Sequence, residues 1–117
     1  MFQSLRVADS AARTTTGTST AVALNVNSQV SPGGALLGLL VNVTAASGTT
    51  PTLDLTVEWS SDGTNFVVGQ PADALTQITT AVGAAKQFAI KAPFYRVKWT
   101  IAGTTPSFTF DVVTTVV

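Results

Sequence analysis

One tetrapeptide occurs twice in this chain, and its two settings limit what the chain can fold into. Gly48-Thr49-Thr50-Pro51 precedes the alternating run Leu53, Leu55, Val57, Trp59, and Gly103-Thr104-Thr105-Pro106 precedes Phe108, Phe110, Val112. Each copy also follows an apolar segment, residues 36–43 in the first case and 95–101 in the second. Gly reaches positive φ without steric cost, Pro fixes φ and removes an N–H, and the residue before Pro is pushed toward an extended conformation. The repeated unit therefore reads as strand, turn, strand. Two such units give an antiparallel, all-β domain with two equivalent Gly-Thr-Thr-Pro hairpins.

The remaining segments fit that frame. Val22, Leu24 and Val26 alternate with Ala23, Asn25 and Asn27 as in a half-buried strand, and Ser31-Pro32-Gly33-Gly34 marks a turn. Residues 36–43 are apolar on both sides, with Leu37, Leu39, Val41 and Val43 on one face and Leu36 and Leu40 beside Asn42 on the other. Such a strand either lies in the middle of a sandwich or has its outer face covered by a partner. After Trp59, the Asp62-Gly63 pair suits a tight turn before Phe66-Val67-Val68 returns. Tyr95, Val97, Trp99 and Ile101 face away from Arg96, Lys98 and Thr100, and Phe108, Phe110, Val112, Thr114 and Val116 form the last strand.

Residues 69–92 carry conflicting signals. Leu75, Ile78 and Val82 have helical spacing, but Thr76, Thr79 and Thr80 favour strand and Gly83 interrupts a helix. We read two short strands, 75–80 and 86–91. The expected architecture is an antiparallel β-sandwich, jelly-roll-like or Ig-like, of about seven to eight strands. Its aromatic core is expected from Trp59, Phe66, Trp99, Phe108 and Phe110. Residues 1–9 read as an edge strand or an arm that docks on its own domain or on a neighbour, and residues 10–20 as a Thr-rich linker without an apolar face. The domain organisation is then an arm and linker over 1–20 and a single β-sandwich domain over 21–117.

Composition narrows function by exclusion. Six acidic and six basic residues cancel, so no net field draws the chain to nucleic acid or an anionic membrane. Charged residues make up 10% of the chain, against roughly 25% in an ordinary soluble domain, and Thr, Ser, Asn and Gly fill the polar positions. Depletion of charge is a property of interface cores, although Thr-rich β surfaces are also simply uncharged. There is no Cys for a disulfide, thiolate or zinc cluster and no His for a general base. The first nine residues lack the apolar segment of a signal peptide, and no apolar run approaches the roughly 20 residues of a membrane helix.

The candidate chemical groups lead to no site. Ser and Thr lack an activating His, and Lys86, Lys91 and Lys98 are the lysines left to activate a Ser. Asp54 and Glu58 lie on one strand face, on the order of 13 Å apart by the strand rise. That exceeds the roughly 5 to 9.5 Å of a glycosidase pair. Asp62, Asn65 and Asp73 are oxygen donors without the spaced acidic series of a calcium loop, and turn chemistry accounts for them. Asn42-Val43-Thr44 matches a glycan acceptor by chance within a strand. No catalytic, cofactor-binding or metal residue is assigned, no cofactor is expected, and an enzyme is not.

The segment Val41-Asn42-Val43-Thr44-Ala45-Ala46-Ser47-Gly48-Thr49-Thr50-Pro51-Thr52-Leu53-Asp54, continuing through Ser60-Ser61-Asp62-Gly63-Thr64-Asn65-Phe66, resembles the small β-sandwich structural proteins of tailed-bacteriophage virions. Residues 94–108 are similar to the matching part of those proteins. The resemblance implies a capsid decoration or auxiliary protein that binds the major capsid protein on a phage head, forms a homo-oligomer with a trimer favoured, and is made in the host cytoplasm. It supplies no catalytic residues. A tail or fibre location is a second reading. A carbohydrate-binding module is a third, and it requires Trp59, Tyr95 or Trp99 to face solvent.

Overall fold

A computed structural model of the chain describes residues 3–24 and 36–116. Its strands are β1 (Gln3–Arg13), β2 (Gly17–Thr18), β3 (Val22–Ala23), β4 (Leu36–Ser60), β5 (Val67–Ala74), β6 (Gly83–Ala89) and β7 (Phe94–Val116). All pairings are antiparallel, and the described residues contain no helix. The expected turn at Ser31-Pro32-Gly33-Gly34, and Val26 of the strand before it, lie outside the described residues.

The architecture rests on one ribbon. β4 and β7 pair along their whole length, from Leu37 opposite Val116 to Ser60 opposite Phe94. The 25 residues of β4 would span about 80 Å if straight, yet the molecule measures 46 Å at its longest. The ribbon therefore folds back on itself. Its two halves meet face to face: the Tyr95 hydroxyl lies 2.6 Å from Oγ1 of Thr114, and the Trp99 and Phe110 rings meet edge-on at 5.7 Å. Both contacts join the beginning of β7 to its end.

The fold occurs at the repeated tetrapeptide, and here the structure differs from the expected hairpins. The strand before each Gly-Thr-Thr-Pro pairs with the strand after the other copy, so neither motif closes a hairpin. The two copies sit opposite each other, with Thr49 across from Thr104 and register shifts on either side. Gly48 and Gly103 take φ of 110° and 122°, and Thr50 and Thr105 take 45° and 47°. A Cβ on Gly48 would lie 2.7 Å from the Thr105 carbonyl oxygen, and one on Gly103 would lie 2.8 Å from that of Thr50. Each glycine makes room for the opposite motif. Sheets turn corners through bulges and bends of this kind.

Short strands complete each half. β1 flanks the second half of β7 and β6 flanks the first half of β4, forming one sheet. β2 and β3 flank the first half of β7 and β5 flanks the second half of β4, forming the other. A single apolar core lies between them, drawing Leu37, Leu39 and Val41 from one half of β4 and Leu53, Leu55 and Val57 from the other. Tyr95 is buried in this core together with Trp59, Trp99, Phe108 and Phe110. Phe66 is not. It lies at the surface under the Arg96 guanidinium, 4.2 Å from ring centre to carbon.

Two further segments depart from expectation. Residues 75–80 form no strand, because Leu75 and Ile78 are both buried and three apart, a spacing that alternation cannot place on one face. The segment instead meets β4 at a single bridge, Ile78 to Leu53, while the strand of this region is β5. The second expected strand, 86–91, begins earlier as β6, since Gly83 extends the ladder opposite Asn42. At the amino-terminal end, residues 10–13, read as the start of a linker, continue β1 along β7 of the same chain. Beyond them, hydroxyls take the place of an apolar face: Ser19 Oγ accepts the Val97 N–H and Thr16 Oγ1 that of Ile101.

Candidate interaction surface

The sequence-level candidates for chemistry are placed in structural roles. Asp62 caps the turn after β4: Oδ1 accepts the N–H groups of Thr64 and Asn65, and Oδ2 accepts from the Asn65 side chain. These bonds, led by the Asn65 N–H, hold its pKa well below the ordinary carboxylate range. Asp73 lies apart from that turn's network. It accepts 2.7 Å from Trp59 Nε1 and pairs with Lys91 Nζ at 2.8 Å. Among the described residues no group of three or more acidic, His or Cys side chains gathers around a common point.

The other candidates are likewise occupied. Glu58 takes a 2.7 Å bond from Arg96 Nε directly across the ladder, and Asp54 accepts from Gln77. Lys86 lies over Phe88 and reaches the Ala74 carbonyl. Lys98 sits opposite Thr56 on the outside of its sheet. The three rings a sugar platform would need are buried: Trp59 is 2% exposed, Tyr95 1% and Trp99 8%. Burial pushes the Tyr95 phenol pKa up against the opposing effect of its bond to Thr114.

Sequence reasoning missed two clusters. Arg13 donates to the Phe110 and Asp9 carbonyls at 2.7 Å and lies over the Trp99 and Phe110 rings. Burial pulls its pKa below the usual guanidinium value, while Asp9 and Asp111 pull it back. The Trp59–Asp73–Lys91 group pins β5 to the sandwich. A buried indole N–H signals that some acceptor must exist, but no local pattern says which.

What remains exposed is uneven. On the sheet of β2, β3, β5 and their partners, the outward positions of β4 and β7 are Asp54, Glu58, Arg96 and Lys98, with Glu58 buried beneath its pairing with Arg96, while Val67 and Val68 of β5 are 65% and 44% exposed. The sheet of β1, β6 and their partners exposes Leu36 at 39% and Leu40 at 50%, with Ala85 and Ala89 beside them on β6. Arg6 and Asp111 on this face pair with each other at 3.5 Å, and Asp9 of β1 and Lys86 of the edge strand β6 are exposed as well. A shallow groove of about 360 Å³ crosses this face over Gly38, bounded by Leu40, Ala85, Lys86, Gln87 and Thr115.

No protein-family model matches the chain, and no curated protein does. Among solved structures, a chain from the structure of infectious bursal disease virus, Gx strain, aligns over 99% of this chain with a TM-score of 0.60 and 14% identity. This chain spans 31% of that one. A chain from the Bacillus endospore appendages, described as a family of disulfide-linked pili, aligns over 99% of this chain and 85% of its own length, at 18% identity and a TM-score of 0.43. The viral likeness is one of fold.

Proposed function

We propose that this chain is a non-enzymatic structural protein that works by being packed into a larger assembly, and specifically that it is a decoration or auxiliary protein on a virus shell. The observation that carries the reading is the outward face of the β1–β7–β4–β6 sheet. Along β4 itself, this face exposes Leu36 and Leu40, beside Ala89 and Ala85 of β6, where the other half of the strand turns Asp54 and Glu58 outward. The fold shared with a segment of a viral chain supports it, as does the engagement of the polar candidates in structural bonds. The resemblance of residues 41–66 and 94–108 to phage virion proteins favours a major capsid protein as the proposed partner. Tail or fibre attachment is the variant of the same reading.

Particles purified from the source of this chain provide the test. The chain is expected among the virion proteins in a symmetric copy number, with sandwich density on the shell in a cryo-EM map. Density on the tail moves the site without changing the class. Absence from the particles overturns the proposal, as does a specific glycan ligand for the isolated protein.

A further inference from the structure

We infer that the outward face of the β1–β7–β4–β6 sheet binds a second copy of this chain across a two-fold axis, with Leu40 of each copy entering the groove above Gly38 of the other. The inference rests on the structural reading above in that both make this face a packing surface.

Gly38 is the first reason. Glycine weakens the interior of a strand and marks places where another chain comes close. Here the fold does not ask for it: Gly38 is not among the glycines at positive φ, and a Cβ would meet Thr115 no closer than 3.5 Å, an ordinary contact. The space it leaves opens outward. Nothing within the described residues fills it, and Leu40, two residues along the same strand, projects beside it.

The second reason is self-complementarity. A two-fold contact must be complementary to itself, and this face carries a knob and a hole one strand repeat apart. An axis lying between two facing sheets, across the strands at the level of Leu39, places each Leu40 over the other copy's Gly38. The outward Arg6 and Asp111 neutralise each other, and Lys86, which meets its own copy on this axis, is directed to the inward side over Phe88 and toward the Ala74 carbonyl. Edge-to-edge pairing is disfavoured instead: edge strand β6 carries Lys86 at a position opposite Leu39, on the inward side, and inward-pointing lysines blunt sheet edges.

Area sets the strength. Four strands about 4.8 Å apart, each exposing about seven residues at about 3.3 Å per residue, present on the order of 450 Å² in projection. A stable complex buries roughly 800 Å² per partner. The pairing is therefore weak in dilute solution and completed at the local concentration of an assembly.

Sedimentation velocity over a concentration series tests this with the full chain. The wild type is expected to move reversibly from monomer to dimer. Leu40→Lys should weaken the dimer at least tenfold, and so should Gly38→Val, which fills the groove. Both variants should keep the wild-type melting temperature, and Thr100→Lys on the opposite sheet should leave the dimer intact. A monomer at every concentration, a trimer, or a dimer indifferent to Leu40→Lys and Gly38→Val overturns the inference. The two proposals fail separately. A wild type that joins virions but never dimerises through this face removes only the inference, whereas one that dimerises as expected but is absent from virions removes only the functional reading.

Discussion

The two halves of the folded ribbon are alike on the inside and unlike on the outside. Inward, one half presents Leu37, Leu39, Val41, Phe108 and Phe110, and the other presents Leu53, Leu55, Val57, Val97 and Trp99, all buried. Outward, along β4 and β7, the first shows exposed Leu36 and Leu40, while the second carries Asp54, Lys98 and the Glu58–Arg96 pair. Inward residues answer to the core, which both halves share, so closing the sandwich makes them similar. Outward residues answer to whatever each sheet meets. The contrast belongs to the ribbon strands β4 and β7, since β5 on the charged side also exposes Val67 and Val68.

Equality of the inner faces is the part of this comparison with the largest consequence. Phe110→Ala removes a fully buried ring in contact with Trp99 and Arg13, and should cost about 3 to 5 kcal/mol. Leu39→Ala in one half and Leu55→Ala in the other should each cost about 2 to 5 kcal/mol, and by similar amounts. Urea denaturation measures all three. A cost confined to one half would mean that the core does not close evenly between the sheets.

The corner is the next largest effect. Gly48→Ala and Gly103→Ala each force a side chain into positive φ and against the opposing carbonyl, and each should cost about 1 to 3 kcal/mol. The mirrored contacts predict near-equal losses in thermal denaturation. If the motifs were independent hairpin turns, neither glycine would face the other motif's backbone, and the double variant would be additive. At a shared corner the second substitution should cost less or more than the first.

That corner shows where the sequence was legible and where it was not. The strands around Trp59, Trp99 and Phe110 followed from alternation alone, because burial of one face leaves a period of two. The repeat was visible as well. Its partner choice was not, since a hairpin and a folded ribbon need the same local residues at Gly48-Thr49-Thr50-Pro51 and differ only in which distant strand pairs with which. Leu75 and Ile78 were misread for a related reason: both are anchored by long-range contacts with β4 rather than by a ladder of their own. The apolar outer face could be read in residues 36–43, but which side lay inward required the register opposite β7.

On the outer faces, substitution should separate stability from association. Glu58→Ala removes the acceptor of Arg96 and leaves a guanidinium that is about a third exposed, so a loss of about 1 to 2 kcal/mol is expected after allowing for solvent screening. Leu40→Ala should change stability by less than about 0.5 kcal/mol, as exposed sites generally do. Calorimetry on both variants checks the contrast. A large loss at Leu40 would mean that its role lies within the chain.

The smallest effect concerns acid. Asp62 is exposed and sits in the turn that leads from the second half of β4 into β5, on the charged side of the molecule. The Asn65 and Thr64 N–H groups, with the Asn65 and Ser60 side chains, hold its pKa well below the usual value, which is about 3.9 for an unperturbed Asp. A depressed folded pKa favours the folded state above the unfolded pKa, and that contribution fades as pH falls below about 4 toward the folded value. Asp62→Ala should therefore lower stability slightly at pH 7, and the gap from wild type should narrow by pH 3. Amide hydrogen exchange localises the change: Thr64 and Asn65 should lose protection in the variant, while Val41 and Val112 in the apolar half should not. Loss of protection in both halves would tie this turn to the core and remove the independence of the two outer surfaces on which the comparison depends.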